Sequence, residues 1–565
     1  MRREQAPPPL AVSFWRTRKT DVYNARDSPK IMSAVSSKPV PDAPPNPLEK
    51  QVLAYLENAD GQSAPVARIL DAILKMHGDL TSAPVVAAIW SLNSQRLIVV
   101  DERWIARLRP NPRKPARRRT SRHDRFKDVE EPNPRDVRTN AKSDRDRVLY
   151  SSAFRRLGGV TQVVSANDGL IIHNRLTHTL KVAQVARRLA ERVRAKTEPA
   201  TLRAVGGLDP DVVEVAALVH DLGHPPFGHI AEKELQIQCT DSVLGEGALQ
   251  DSFEGNAQSF RIVARQSVRT TYCTGLNLTR AALNAVLKYP WFRGEGPDGR
   301  SREKWGAYRD DEHFFAFARK KQETFVRSAE AEIMDWADDI AYALHDTEDF
   351  YRAGLIPLHR LGPRGDAEEQ ARFLDYYIDF KKTVDRGQAA KDLANAIGIL
   401  GPRERFAGSF EQRALLRSWI SHRIGAYMAA FSLRPELERH SYASIEPDAR
   451  REIDILKQLT WYYVILRPAL ASQQAGQRRL IRELFKTFRE AALEKQYALF
   501  PQVVADRLRA LGANGSGTAT ASGVTRLVVD LIASMTEEQA LRIHHKLVGV
   551  APGSVMDQLL HHSIG

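Results

Sequence analysis

Apolar residues recur every three to four positions through most of this chain, a spacing that predicts helices. In "LTHTLKVAQVARRLAERVRA" (176–195), Leu176, Leu180, Val182, Val185, Ala186 and Leu189 form one stripe with Arg and Lys opposite, which predicts an amphipathic helix with a buried face. "DVVEVAALVHDL" (211–222) is apolar nearly all round and predicts a buried helix closed by Gly223. "EAEIMDWADDIAYALHDTEDFYRAG" (330–354) predicts another long helix, with Gly354 past its end. Earlier in the chain, "PLEKQVLAYLENA", "VARILDAILKMHG" and "SAPVVAAIWSLNSQ" carry shorter helical periods, and "RLIVVDERWIARLR" reads as a strand pair around Asp101-Glu102. Three short helices and a hairpin are the order of a winged helix-turn-helix, and a small helical accessory domain fits the same pattern.

Breaks in the pattern set the expected boundaries. Residues 1–45, with "APPP" and "PDAPPNP", are too rich in Pro, Ser and Ala to build a core and read as disordered. The winged-helix-like unit takes 46–109, a basic linker 110–140 and a helical core 141–511. The Gly/Ser/Thr stretch "GANGSGTATASG" (512–523) reads as a link to a C-terminal helical segment, 524–565, containing "TEEQALRIHHKL". The expected fold class is mainly α.

At 565 residues the chain exceeds the roughly 250–300 residues at which single cores stop growing, so a large domain with appendages is expected. Its 43% hydrophobic and 27% charged residues fit a globular protein rather than a membrane or disordered one. No apolar run approaches the ~18–20 residues of a membrane span. The start, "MRREQAPPPLAVSFWRTRKT", lacks the apolar centre of a secretory signal, although its Arg-rich, acid-poor composition leaves a transit peptide open. Cys239 and Cys273 are the only cysteines, too few for a disulfide framework or a thiolate metal cage, and the expected location is cytoplasmic. The net charge of +14 is concentrated in 107–127, "RLRPNPRKPARRRTSRHDRFK", with ten Lys/Arg against one Asp. Such a block serves either as an arm for nucleic acid or as a solvated linker.

The candidate chemistry gathers in "VHDLGHPPFGHIAE" (219–232). His220 and Asp221 adjoin at a predicted helix end, where both side chains can reach one ion. Imidazole with carboxylate suits Mg, Mn, Fe, Co, Ni or Zn. One His-Asp pair cannot fill a coordination sphere, and His178 and Asp338 are the best further candidates. Asp338 and Asp339 lie among Trp336, Ile340 and Tyr342, where acids are costly without a cation. Taken singly, His178 is an ordinary core or surface histidine and the two acids ordinary caps or partners for Arg.

Together these residues form an H…HD…D series, His178, His220-Asp221 and Asp338, which resembles the metal site of the HD-domain phosphohydrolases. The chain looks like the deoxynucleoside triphosphate triphosphohydrolases, the bacterial dGTPase group. The likeness spans about 140–500 through "SSAFRRLGGVTQV", "HNRLTHTLKVAQVAR", "HDLGHPPFGHIAE", "FEGNAQSFRIV", "GLNLTRAALNAVLKYPW", "DWADDIAYALHDTED" and "LTWYYVI". The resemblance implies a divalent ion, Mg or Mn, on His178, His220, Asp221 and Asp338. Water activated there would attack the α-phosphorus of a dNTP, dGTP among the candidates, and release deoxynucleoside and triphosphate. His229 matches the family's proton donor and Glu232 its partner, three residues on and so on the same helix face. Arg175, with His224 nearby, matches a phosphate-binding position, and Lys288, Tyr289 and Lys304 match further substrate contacts. Gln162 matches the contact to the sugar 3′-hydroxyl, and Tyr342 and Asp346 those that pack and orient sugar and phosphates. The resemblance also implies a homo-oligomer. Gly158-Gly159 stand where the family usually has bulkier polar residues, and an extension of about 140 residues precedes the core. Two other functions remain: another HD-type nucleotide phosphohydrolase, or a nucleic-acid-binding regulator that senses dNTPs and binds DNA through 46–127.

Overall fold

The computed structural model describes residues 46–550 except 60–61, 78–79, 95–96, 101–103, 109–120, 128–135, 163–172, 241–243, 271–272, 321, 323, 399–400, 439 and 515–517. The Pro-rich 1–45 segment and much of the basic run therefore lie outside the described residues. The chain divides into two compact units, Met1–Arg109 and Pro110–Gly565.

In the first unit, helix Pro47–Glu57 starts from an Asn46 capping box with Glu49 and has Pro47 at its first position, where no amide hydrogen is needed. Strand Ser63–Pro65, helices Val66–Met76 and Ser82–Ser94, and strands Ile98–Val100 and Ile105–Leu108 follow. Ile105–Leu108 lies in the middle of the antiparallel sheet, pairing Val99 with Arg107 on one side and Ala64 with Ala106 on the other. The first strand is new relative to the sequence pattern: three residues ending in Pro are too short to show alternation. Helix–strand–helix–helix–strand–strand is the winged-helix order. Val52, Leu56, Ile69, Ile73, Val85, Ile89, Leu92 and Ile98 fill its core.

The second unit is mainly helical. Helices Arg175–Lys196, Pro210–Val219 and Ala329–Arg352 pack on one another at its centre. Each has a side-chain cap: Asn174 accepts from the Thr177 amide, Asp209 from that of Asp211, and Ser328 from that of Ala331. All of the Pro210–Val219 apolar residues are buried, as the pattern predicts. On Arg175–Lys196 the stripe runs through Val182, Ala183, Val185, Ala186, Leu189 and Ala190, whereas Leu180 is exposed. The buried arc is centred on His178, Val182 and Val185, and Leu180 falls outside it.

Three expectations change. Strands Phe431–Glu438 and Ser441–Ile445 form a hairpin inside the helical region. Most of the supposed 512–523 link is helical, within Gln502–Asn514 and Thr518–Ala533. Val524, Val528, Leu531 and Ile532 are buried there, and this burial outweighs the weak helix propensity of Gly, Ser and Thr. A second core joins them and Ile543 to Leu480, Leu484 and Phe488 of helix Pro468–Leu493 and to Phe227, Ala231 and Leu235, so the C-terminal segment is continuous with the helical unit. The basic run also docks at its end: Arg122 pairs with Glu330, Arg125 with Asp144 at 2.5 Å, and Phe126 packs on Phe314. No helix among the described residues is long and apolar enough to cross a membrane.

Gly223 lets two parts of the centre touch. Its amide donates to Ser259 Oγ at 2.8 Å, and a Cβ would overlap the Gly255 carbonyl oxygen and the Ser259 amide nitrogen. Gly223→Ala should therefore destabilise the protein by about 1–3 kcal/mol, the usual cost of overpacking. An unchanged thermal melting midpoint would show that the contact is not tight.

Candidate active site

His178 lies in the first turn of helix Arg175–Lys196, His220 caps the C-terminus of Pro210–Val219, and Asp338 projects from the middle of Ala329–Arg352. Packing of these three helices brings the side chains together. Asp338 Oδ1 stands 3.1 Å from His178 Nε2 and 3.6 Å from His220 Nε2, and the three ligating atoms lie within 4.8 Å of one another. Atoms sharing one ion at about 2.0–2.2 Å have such separations. His220 Nδ1 is 2.6 Å from the Ala217 carbonyl, so Nε2 is the ring nitrogen turned toward the acids, and it has no hydrogen bond of its own. The donor set and this orphaned nitrogen fit a divalent cation. Asp221 stands beside the triad: its Oδ2 is 3.5 Å from His220 Nε2 and 2.8 Å from Arg175 Nη1, so the guanidinium shares it.

Charge is balanced pairwise around the centre. Burial alone would protonate Asp221 and Asp338, but Arg175 and His220 hold the first, and Lys288 and His220 the second, well below the usual carboxylate range. Burial lowers His178, against the pull of Asp338. At His220 the burial effect is overcome by Asp221 and Asp338, which raise it to about 9. His224 sits with Nδ1 3.0 Å from Asp221 Oδ1, and burial with the charge of Arg175 lowers it to about 4. Lys288 Nζ lies between Asp335 Oδ1, at 2.7 Å, and Asp338 Oδ2, at 3.4 Å.

A second constellation adjoins the first through His224, whose ring centroid is 5.2 Å from that of His229. His229 opens helix His229–Gln238 and is 63% exposed, while Glu232 beneath it is buried. His229 Nδ1 is 2.7 Å from Glu232 Oε2, the distance of an N–H donating to a carboxylate. Lys304 Nζ joins Glu232 Oε1, at 3.0 Å, to Glu254 Oε1, at 3.1 Å. Burial opposes the Glu232 charge, and His229 and Lys304 outweigh it, keeping the carboxyl well below its ordinary range. Gly228, at φ +56°, precedes this helix, and a Cβ there would lie 3.0 Å from Arg175 Nη2. The bare α-carbon lets the guanidinium pass beneath the loop.

The other expected substrate residues surround these groups. Gln162 is half-buried and its Oε1 has no hydrogen-bond partner, while 163–172 lie outside the described residues. Tyr289 is half-buried beside Lys288, and burial raises its phenol. Tyr342 and Asp346 follow Asp338 on the same helix face. Burial and then Asp349 and Asp338 raise Asp346 well above the carboxylate range, and its Oδ2 makes no hydrogen bond. Burial likewise raises Tyr342. Asp335, Glu254, and the buried pair His173–Asp349 belong to this surround but were not singled out by the sequence pattern. Asp335 sits one turn before Asp338, and that spacing was its available signal.

Residues 175–287 match the HD domain model and residues 443–546 the phosphohydrolase-associated domain model. The chain is 36% identical over 443 residues to a deoxyguanosinetriphosphate triphosphohydrolase-like protein of Streptomyces coelicolor, an overlap covering 74% of this chain and 95% of the relative. A protein of the same description from Corynebacterium efficiens is 35% identical over 434 residues, covering 74% and 93%. Another from Bifidobacterium longum is 32% identical over 435 residues, covering 73% and 84%.

The adjacent acids 338 and 339 offer a sharp test of the metal set. Asp339 is committed to Lys457 and, at 2.6 Å, to Arg450. His220→Ala, Asp221→Ala and Asp338→Ala should each leave a folded protein without stoichiometric divalent metal, whereas Asp339→Ala should retain it. Elemental analysis after desalting reads the result, and full metal in His220→Ala would remove that residue from the set.

Proposed function

This chain belongs to the deoxyguanosinetriphosphate triphosphohydrolase-like family of HD-domain phosphohydrolases, and we propose that it hydrolyses deoxynucleoside triphosphates to deoxynucleoside and intact triphosphate. The observation that carries this reading is the His229–Glu232 pair standing next to the His178–His220–Asp338 triad, connected through Asp221 and His224. A proton donor beside a cation-binding triad is the equipment for displacing an alkoxide from phosphorus. His178, His220 and Asp338, with Asp221 adjoining, would hold a divalent ion, Mg or Mn, which supplies Lewis-acid activation of water and phosphoryl oxygen.

The chain's own groups do the rest. Arg175, Lys288 and Lys304 bind the polyanionic triphosphate, and each is already oriented by a carboxylate before substrate arrives. Glu232 fixes His229 through Nδ1, leaving Nε2 to deliver a proton to the departing 5′ oxygen. Neutral His224 adds a donor to the phosphates without adding charge. Gln162 meets the 3′-hydroxyl through its unpaired Oε1. Protonated Asp346 and Tyr342 line the sugar side without repelling the anion.

Chromatography of products from each of the four dNTPs, with Mg or Mn, tests the proposal. Deoxynucleoside and triphosphate should appear in equal amounts. His229→Ala should give the same products with kcat lowered by a factor on the order of 10²–10⁴, the size of general-acid effects, and unchanged metal content. Orthophosphate or pyrophosphate as the primary product would move the attack to another phosphorus and end this reading in favour of another HD-type phosphohydrolase.

The helix–strand–helix–helix–strand–strand order of 47–108 favours a further property, nucleic-acid binding by 46–127. Since Arg122 and Arg125 are committed to the helical unit, the phosphate contacts fall to the basic residues before them. Binding of the full chain to DNA should weaken steeply with salt and fall when Arg117, Arg118 and Arg119 become Glu. DNA affinity equal in that variant and the wild type would discard the arm. A chain that binds DNA and dNTPs yet turns over none of the four would instead be the nucleotide-sensing regulator.

A further inference from the structure

We infer that Glu537, at the first position of the C-terminal helix Glu537–Leu547, is a positioning residue for the hydrolytic site, locking the loop that presents His229 to the segment that presents Gln162. Its Oε1 accepts the Thr161 amide at 2.7 Å and the Phe227 amide at 3.2 Å. Thr161 is the neighbour of Gln162, and Phe227 stands two residues before His229. One carboxylate oxygen thus holds two strands of the site that are far apart in sequence, from a helix that contributes no residue to the chemistry.

The loop it grips needs an external hold. Phe227 has φ +65° and Gly228 φ +56°, and a bulky residue in that region costs on the order of 1–3 kcal/mol unless its surroundings impose it. The Phe227 side chain is buried in the second core with helices Pro468–Leu493 and Thr518–Ala533, and Glu537 receives its amide. Arg156 spans the same junction, donating from Nη1 to the Met535 carbonyl at 3.1 Å and from Nη2 to those of Leu222 at 2.6 Å and His224 at 2.9 Å. Gly159 completes the fit: a Cβ there would lie 2.9 Å from Thr536 Cβ and Cγ2, so the unusual Gly-Gly of "RLGGV" leaves room for the residue that caps this helix. An acid at a helix start ordinarily faces water and serves the helix dipole. Glu537 is 5% exposed and points at two foreign amides.

The inference rests on the proposed hydrolysis for its kinetic arm only, and a second arm reads the loops directly. Full-length Glu537→Ala and Glu537→Gln are compared with the wild type in steady-state triphosphate release and in hydrogen exchange of peptides covering 158–162 and 225–229. Glu537→Ala should lower kcat roughly 10–100-fold, the effect of misplacing catalytic groups by about an ångström, with metal content retained and exchange in both peptides accelerated. Glu537→Gln, whose Oε1 can still accept both amides, should recover most of the rate and the protection. If Glu537→Ala does not fold, Glu537→Asp replaces it, being too short to reach both amides, and it should be slow where Gln is fast. Wild-type kcat and exchange in Glu537→Ala, or equal rates in the Asp and Gln variants, would overturn the proposal. A wild type that releases no triphosphate refutes the hydrolase reading, while the exchange data still decide the role of Glu537.

Discussion

A carboxylate removed from water loses several kcal/mol of solvation, and it stays ionised in a protein only where cations and donors replace that water. Three packed helices put Asp221 and Asp338 into such surroundings, and helix His229–Gln238 and the cap of helix Gly255–Arg261 do the same to Glu232 and Glu254. Three of these acids are answered, Asp221 by Arg175, Asp338 by Lys288 and His220, and Glu232 by Lys304, whereas at Glu254, which shares that ammonium, burial prevails and raises the carboxyl. Arg175, Lys288 and Lys304 are therefore the cations that keep those three acids charged.

The same balance of burial and charge explains which groups are neutral. Asp346 has no cation at hydrogen-bonding distance and faces Asp349 and Asp338, so burial and like charge both favour its proton. His224 is lowered first by burial and then by the charge of Arg175, although it touches Asp221. Neutral donors next to fixed cations let an anion enter without a further buried charge having to be compensated. His229, exposed above buried Glu232, is the one imidazole of the group with open access to an incoming molecule.

Helical periodicity made the central helices legible, because their buried faces run for many turns. Residue chemistry made His178, His220 and Asp338 legible, since an acid among Trp336 and Ile340 asks for a cation. The pairing of Asp221 with Arg175 was hidden, as it depends on a guanidinium that passes beneath Gly228. Leu180 fell on the wrong side because several apolar residues at helical spacing fit more than one arc. Strand Ser63–Pro65 is too short for a pattern, and the helices across 512–523 depend on burial that local composition does not encode. Arg122 and Arg125 looked like part of a uniform basic run, and only their partners, Glu330 and Asp144, distinguish them.

The largest change concerns how far the helical unit extends. A boundary at 511 would cut through the second core, which takes Phe227, Ala231 and Leu235 from the active-site side and Val528, Leu531, Ile532 and Ile543 from the far end of the chain. Phe227 alone makes the case. Its backbone occupies a region that a phenylalanine avoids, its ring is buried against the C-terminal helices, and the residue that receives its amide begins the last of them. Removing those helices would free the turn to relax and would expose the apolar side of the helix that starts at His229. The segment after 511 is thus packed into the same helical unit as the helix that starts at His229.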